Sequence, residues 1–409
     1  MSEDNKLEDL DKTEVTEVMD DNQDSDLEDA TQIISEDVTR TQKATHTDIG
    51  QVKIQQLFKL MVQQGASDLH LSVGSPPALR MSGEIVRIKV APLTDKLTRK
   101  MIYQILNDKQ KAELEKNLEL DFSFGVRNLA RFRVNVYYSQ GKLSAAFRLI
   151  PSVVPDFDAL GLPRILLDMT SAINGLILVT GSTGSGKSTT LASILDRLNQ
   201  THSGHIITLE DPIEFVHQHK GCIVNQREVG VDSLSFGRGL KSLLRQDPDI
   251  IMVGELRDVE TIEAALTIAE TGHLVFGTLH TNSTVQTINR IVNVFPADKQ
   301  NQIRSLLSFV LQGVVAQQLV PKVNGGRQLI QEILVPTLAI RNLIREDKIH
   351  QIYSQMQIGQ DESGMSTMNQ ALISAVDKGI ITKQSAIDFS NAPEEILKAL
   401  GLEKMRRSA

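Results

Sequence analysis

The chain has 409 residues, 43 Lys+Arg against 51 Asp+Glu, a formal net charge of −8 and 41% hydrophobic residues. Such a length suggests two or three domains with ample chain for a large core, and such a composition is that of a soluble globular protein. A single cysteine, Cys222, excludes an intramolecular disulfide framework and a zinc site built on several thiolates, and no apolar run approaches the ~18 residues of a membrane-spanning helix.

The charge is unevenly spread. Residues 1–50 hold 16 Asp+Glu and 4 Lys+Arg, a net of −12, which leaves +4 for residues 51–409. The acidic segment has few apolar anchors, so it is expected to be disordered, either as a solubilising tail or as a docking arm for a basic partner. Met1-Ser2-Glu3-Asp4 offers neither a basic nor an apolar signal region, and a cytoplasmic protein is expected. The near-neutral body gives no indication of nucleic-acid binding.

From residue 51 the pattern changes. Ile54, Leu57, Phe58, Met61 and Val62 recur at helical spacing up to Gly65. Leu69–Val73 alternates as a strand, residues 78–90 read as a hairpin around Ser82-Gly83, and residues 94–117 read as one helix. Phe122–Phe124, Ala130–Tyr138 and Leu143–Ile150 supply three more strands. The expectation is a small α+β domain over 51–150, then a stiff linker at 151–155 with two prolines. Beyond it, apolar strands (176–180, 205–209, 250–253, 274–279) alternate with helical stretches, which implies a mostly parallel sheet covered on both faces. The chain past about 298 reads as mostly helical, with a Gly325-Gly326 turn, giving an α/β domain with C-terminal helices over 156–405.

Gly181-Ser182-Thr183-Gly184-Ser185-Gly186-Lys187-Ser188 fits the P-loop pattern, with Thr189 next to it, between a strand and an amphipathic helix. Three glycines let the backbone N–H groups turn inward toward phosphate, and the helix N-terminus adds partial positive charge. Lys187 suits the β- and γ-phosphates, and the Ser188 hydroxyl suits Mg²⁺. ATP is the expected ligand.

Three further strands deliver polar groups to the edge where ligands sit in such a sheet. Asp249–Glu255 ends in Glu255, with Gly254 where an Asp often stands, so Glu255 is the candidate for orienting the attacking water. His205–Glu214 delivers Glu210 and Asp211, which are either a turn-capping cluster or convergent carboxylates for Mg²⁺. Glu210 is therefore a second candidate for water activation and a candidate metal ligand. Thr271–Asn282 places His280 and Asn282 at that edge, where His280 is either structural or a γ-phosphate donor.

In order, Gly181–Thr190, Thr208–Glu214, Asp247–Asp258 and Thr271–Asn282 resemble the Walker A, Asp box, Walker B and His box of the type II/IV secretion and pilus ATPases. Ala339-Ile340-Arg341-Asn342-Leu343-Ile344-Arg345-Glu346 resembles a stretch of the pilus retraction ATPases (PilT type). The resemblance implies a RecA-like ATPase domain with a PAS-like N-terminal domain and a homo-hexameric ring. It further implies ATP hydrolysis with Mg²⁺ and work on a pilus platform protein at the cytoplasmic face of the inner membrane. It also implies that Arg133 and Arg148, with Arg131 as a third, reach the nucleotide of a neighbouring subunit, whereas on bare sequence strand arginines read as a solvated face or an ion pair. Pairing about the Gln140-Gly141 turn sets Arg133 opposite Arg148. Alternatives are an extension or secretion ATPase, against which the single cysteine speaks, and a regulatory ATP-binding accessory of the retraction motor.

Overall fold

The computed structural model describes residues 53–402 apart from Ser82, Asn128, Ser152 and Gly359. The segment 1–50 expected to be disordered lies outside the described residues. The chain divides between Ser152 and Val153 into two compact units. Among the described residues no helix is long and apolar enough to cross a membrane.

The first unit holds an antiparallel sheet of β1 (Asp68–Ser72), β2 (Ala78–Met81), β3 (Glu84–Arg87), β4 (Glu119–Val126), β5 (Ala130–Ser139) and β6 (Lys142–Ile150), in the order β3-β2-β1-β6-β5-β4. Strand alternation decides what each face carries. On β5, Phe132, Val134 and Val136 are fully buried among residues of the helix Ile54–Gln63, while Arg131 and Arg133 take the opposite face. Phe58 of that helix stacks on Phe132 at 4.6 Å between centroids and meets Phe147 edge-on at 5.1 Å. The single helix expected over 94–117 is two, Asp95–Tyr103 and Asp108–Asn117. Asn107 interrupts them: its side chain accepts from Gln110 N at 2.8 Å, and Gln110 returns a bond to Asn107 N, a reciprocal cap that starts a new helix.

The second unit is built on a seven-stranded sheet: β7 (Gly175–Thr180), β8 (His205–Glu210), β9 (Ile223–Glu228), β10 (Ile250–Val253), β11 (Leu274–Leu279), β12 (Leu311–Pro321) and β13 (Arg327–Leu334). Its order is β13-β12-β7-β11-β10-β8-β9, parallel throughout except for the β12–β13 pair. Leu176 and Leu178 of β7 join one core layer and Ile177 and Val179 the other, so the sheet is buried on both faces.

The expectation of mostly helix past 298 is corrected here. β12 and β13 form a long hairpin whose tip carries Gly325 and Gly326, both at positive φ. Val314, Val315 and Ala316 are all fully buried, because β12 lies inside the sheet against β7. A strand buried on both faces shows no alternation, and its apolar run reads like a buried helix. Strand β9, with a polar sequence at the opposite edge, also escapes the pattern. The helix Leu338–Arg345 buries Ile340 and Ile344 completely, as their spacing predicts.

Candidate active site

The phosphate loop joins β7 to the helix Lys187–Thr201 at the carboxyl edge of the parallel strands. Gly181 is at φ +144°, and a Cβ there would lie 2.4 Å from Gln317 O and 2.6 Å from Ser185 Oγ, so no other residue fits. Gln317, fully buried on β12, donates through Nε2 to Ser185 O at 2.9 Å and props the loop from behind. Ser182, Thr183 and Gly184 line the exposed side. Lys187 Nζ donates to Gly181 O at 2.8 Å and Ser182 O at 3.1 Å. Burial pulls its ammonium below the usual lysine range, and the charge of Glu255 partly offsets that.

Glu255 follows β10 on a backbone pinned from both sides. Gly254 N donates to Leu209 O at 2.8 Å, Leu256 N donates to Thr278 O at 2.9 Å, and the Thr278 hydroxyl donates to Gly254 O. A Cβ on Gly254 would come within 3.3 Å of Glu210 Cα and Leu209 O, a tight fit against the neighbouring strand. The Glu255 carboxylate is gripped twice: Arg257 Nη2 lies 2.7 Å from Oε2 and His280 Nε2 3.2 Å from Oε1. Burial alone would raise the carboxyl, yet Arg257 and His280 hold it below the ordinary carboxylate range. Arg257 escaped the sequence reading; its position two residues past Glu255 was its only signal.

The structure separates Glu210 from this group. It ends β8, on the far side of β10 from the loop-bearing strand, and is 5% exposed. Thr208 Oγ1 donates to its Oε1 at 2.6 Å, Gln226 Nε2 to the same oxygen at 3.1 Å, and Glu214 N to Oε2 at 3.4 Å. Burial raises its pKa against those hydrogen bonds. The acid whose charge acts on Lys187 is Glu255, not Glu210. His273, at the other end of β11, lies with Nδ1 3.2 Å from Ile268 O.

The loop has the features that a triphosphate needs. Ser185 Oγ is buried and has no hydrogen-bond partner among the described residues, directly behind a glycine-lined cradle that a Cβ would fill. Ser188 is exposed one residue into the helix, beside Thr189. Among the described residues no cluster of three or more His, Cys, Asp or Glu could hold a metal alone. The exposed Ser188 hydroxyl is compatible with a Mg²⁺ carried by the phosphates.

In the first unit, Arg133 on β5 stands directly opposite Arg148 on β6, as the turn predicts. The row continues across the sheet: Arg148 is level with Asp68 on β1, and Asp68 with Arg80 on β2. Buried Asp68 lies 2.9 Å from Arg148 Nε and 3.9 Å from Arg80 Nε. The like charges are thus relieved from within the sheet itself. Arg131 Nη2 donates to Ser123 Oγ at 2.7 Å.

The profile of the family described as "Type II/IV secretion system protein" matches residues 43–388. The chain is 52% identical over 341 residues to the type IV pilus retraction ATPase PilT of Pseudomonas aeruginosa, covering 83% of this chain and 99% of that one. It is 49% identical over 311 residues to a twitching motility protein of Neisseria gonorrhoeae, covering 76% and 83%. The crystal structure of the pilus retraction motor PilT with bound ADP superposes with a TM-score of 0.80 at 52% identity, covering 84% and 99%. The chain belongs to the type II/IV secretion system protein family, beside the PilT retraction ATPases.

Proposed function

We propose that this protein is an ATPase motor that powers type IV pilus retraction. The observation that carries the reading is Glu255, held between Arg257 and His280 at the sheet edge beside Lys187, in a chain 52% identical to a retraction ATPase over 99% of that relative. The reaction is phosphoryl transfer to water, in which positioning and charge stabilisation supply most of the rate. Lys187 exchanges its two loop carbonyls for the β- and γ-phosphates, which the loop N–H groups from Gly181 to Thr189 cradle. Glu255 orients the water and His280 donates toward the transferred phosphoryl. Mg²⁺, held through the Ser188 hydroxyl, supplies charge neutralisation at the phosphates. Glu210 is the weaker candidate for either metal or water, since its oxygens are buried and already engaged.

In this reading the chain works as a homo-hexamer, Arg133 and Arg148 complete the charge clamp in a neighbouring subunit, and residues 151–155 act as the hinge. The partner is a pilus platform protein at the cytoplasmic face of the inner membrane. Steady-state ATPase activity of the assembled oligomer tests the chemistry. A deletion strain tests the direction of work. Piliated but immotile cells support retraction, bald cells indicate an extension motor, and normal motility indicates an accessory.

A further inference from the structure

Arg257 has an arrangement that a spectator ion pair does not need. It and His280 take the two oxygens of Glu255 from opposite sides, at 2.7 and 3.2 Å. With Oε2 turned to a guanidinium, one of its two acceptor directions is already taken, and Glu255 holds a water through that oxygen less strongly. The two grips differ in permanence. His280 directly follows β11, whose Thr278 pins the Glu255 backbone, whereas the Arg257 side chain is 62% exposed and reaches back from a loop. Asp211 lies near enough for its charge to act on the same guanidinium. An ion pair whose guanidinium side is open to water is weakened by it. A planar guanidinium meeting a phosphoryl group gains two parallel, charge-assisted bonds to a more highly charged anion. In a contest between Glu255 and a γ-phosphate, the phosphate wins.

We infer that Arg257 is a γ-phosphate contact within its own subunit, parked on Glu255 until ATP arrives, and that its transfer to the phosphate frees Oε2 for the attacking water. The inference rests on the ATPase reading of this unit and adds to it a side chain that distinguishes triphosphate from diphosphate. The loop and Lys187 grip what ATP and ADP share; Arg257 grips what they do not.

The test is equilibrium binding of ADP and of the non-hydrolysable triphosphate AMP-PNP to the full-length chain, its Arg257→Gln variant and its Arg257→Lys variant. Gln keeps the length of an exposed side chain and removes its charge, and unchanged ADP affinity reports an intact fold. The preference for AMP-PNP over ADP should fall roughly tenfold in Arg257→Gln, the scale of one charge-assisted contact. Arg257→Lys should recover part of it, and ADP affinity should stay within about twofold in both. A preference unchanged in Arg257→Gln, or an equal weakening of both nucleotides in both variants, overturns the inference while leaving the ATPase reading in place. A wild-type chain that binds neither nucleotide removes both.

Discussion

Glu332 offers a quantitative test of how the nucleotide edge is tied to the rest of the second unit. It lies on β13, 2% exposed, and among the described residues no Lys or Arg pairs with it. Its Oε1 accepts from Thr284 N at 2.7 Å and Thr284 Oγ1 at 2.8 Å, and its Oε2 accepts from Met368 N at 3.1 Å. One carboxylate therefore caps two helices: Thr284–Asn293, which follows the His280 segment, and Met368–Asp377, which opens the C-terminal helical layer. Two helix N-termini supply the partial positive charge that a buried anion needs. Glu332→Ala leaves Thr284 N and Met368 N without an acceptor and the Thr284 hydroxyl with only Met356 Sδ where water is excluded, at about 1–3 kcal/mol each if fully unmet. Partial relaxation brings the total to about 4 kcal/mol, in the range for a broken buried network. At about 2–4 °C per kcal/mol for a unit of this size, the midpoint should fall by roughly 8–16 °C. Glu332→Gln keeps an oxygen for Thr284 but turns an amide N–H toward Met368 N–H, so about half the loss is expected. Thermal melts followed by calorimetry read both. An alanine midpoint within about 2 °C of wild type would refute the reasoning.

Four shorter expectations follow. Lys187→Ala should abolish hydrolysis, since the loop loses its fixed cation; turnover at the wild-type rate removes the P-loop assignment. Glu255→Gln should keep nucleotide affinity and lower kcat by roughly 10²–10⁴, the usual scale for a positioned base; retained turnover points to Glu210. Glu210→Gln should keep most activity, and its stability relative to wild type should improve from pH 4 to pH 8. Burial raises the folded pKa of Glu210, so the penalty for ionising it is absent below its ordinary value of 4.5 and appears as pH rises through the folded value; a pH-independent difference in thermal midpoint counts against this. Arg133→Ala mixed with Lys187→Ala subunits should recover activity that neither has alone, because some interfaces regain both halves of a shared site; co-assembled oligomers without recovery favour Arg133 acting within its own subunit.

Much of the site was legible because its signals are local. β10 and β11 match their sequence bounds residue for residue, being uninterrupted apolar runs with Asp249 and Gly254, or His273 and His280, at their ends. The pairing of Arg133 with Arg148 followed from a tight turn, with Gln140 and Gly141 both at positive φ. What escaped depends on partners far along the chain. Gln317 supports a loop 132 positions earlier, and Glu332 caps a helix that begins 48 positions before it. Neither belongs to a periodic pattern, and both lie on the hairpin that burial on two faces disguised as helix. Arg257 was hidden for another reason: its meaning comes from where its guanidinium lies, which the spacing to Glu255 does not reveal.

The charges of the two units follow one rule. Lys187 rests on two backbone carbonyls, Arg257 on Glu255, and Arg148 on Asp68. Each of these three cations, which the proposed function assigns to phosphate, already has a local acceptor. A neutral carbonyl carries only a partial charge, and in both ion pairs the guanidinium side is open to water, which weakens the pair. In the proposed reading a triphosphate replaces these partners, and the cations stay held in place rather than being gathered from solvent. Without these acceptors the arginine row of the first unit and the cationic edge of the second would repel themselves. With strong acceptors, such as a fully buried bidentate carboxylate, the exchange would be opposed by several kcal/mol. Partners of intermediate strength are what a site needs if it must fill and empty in every cycle.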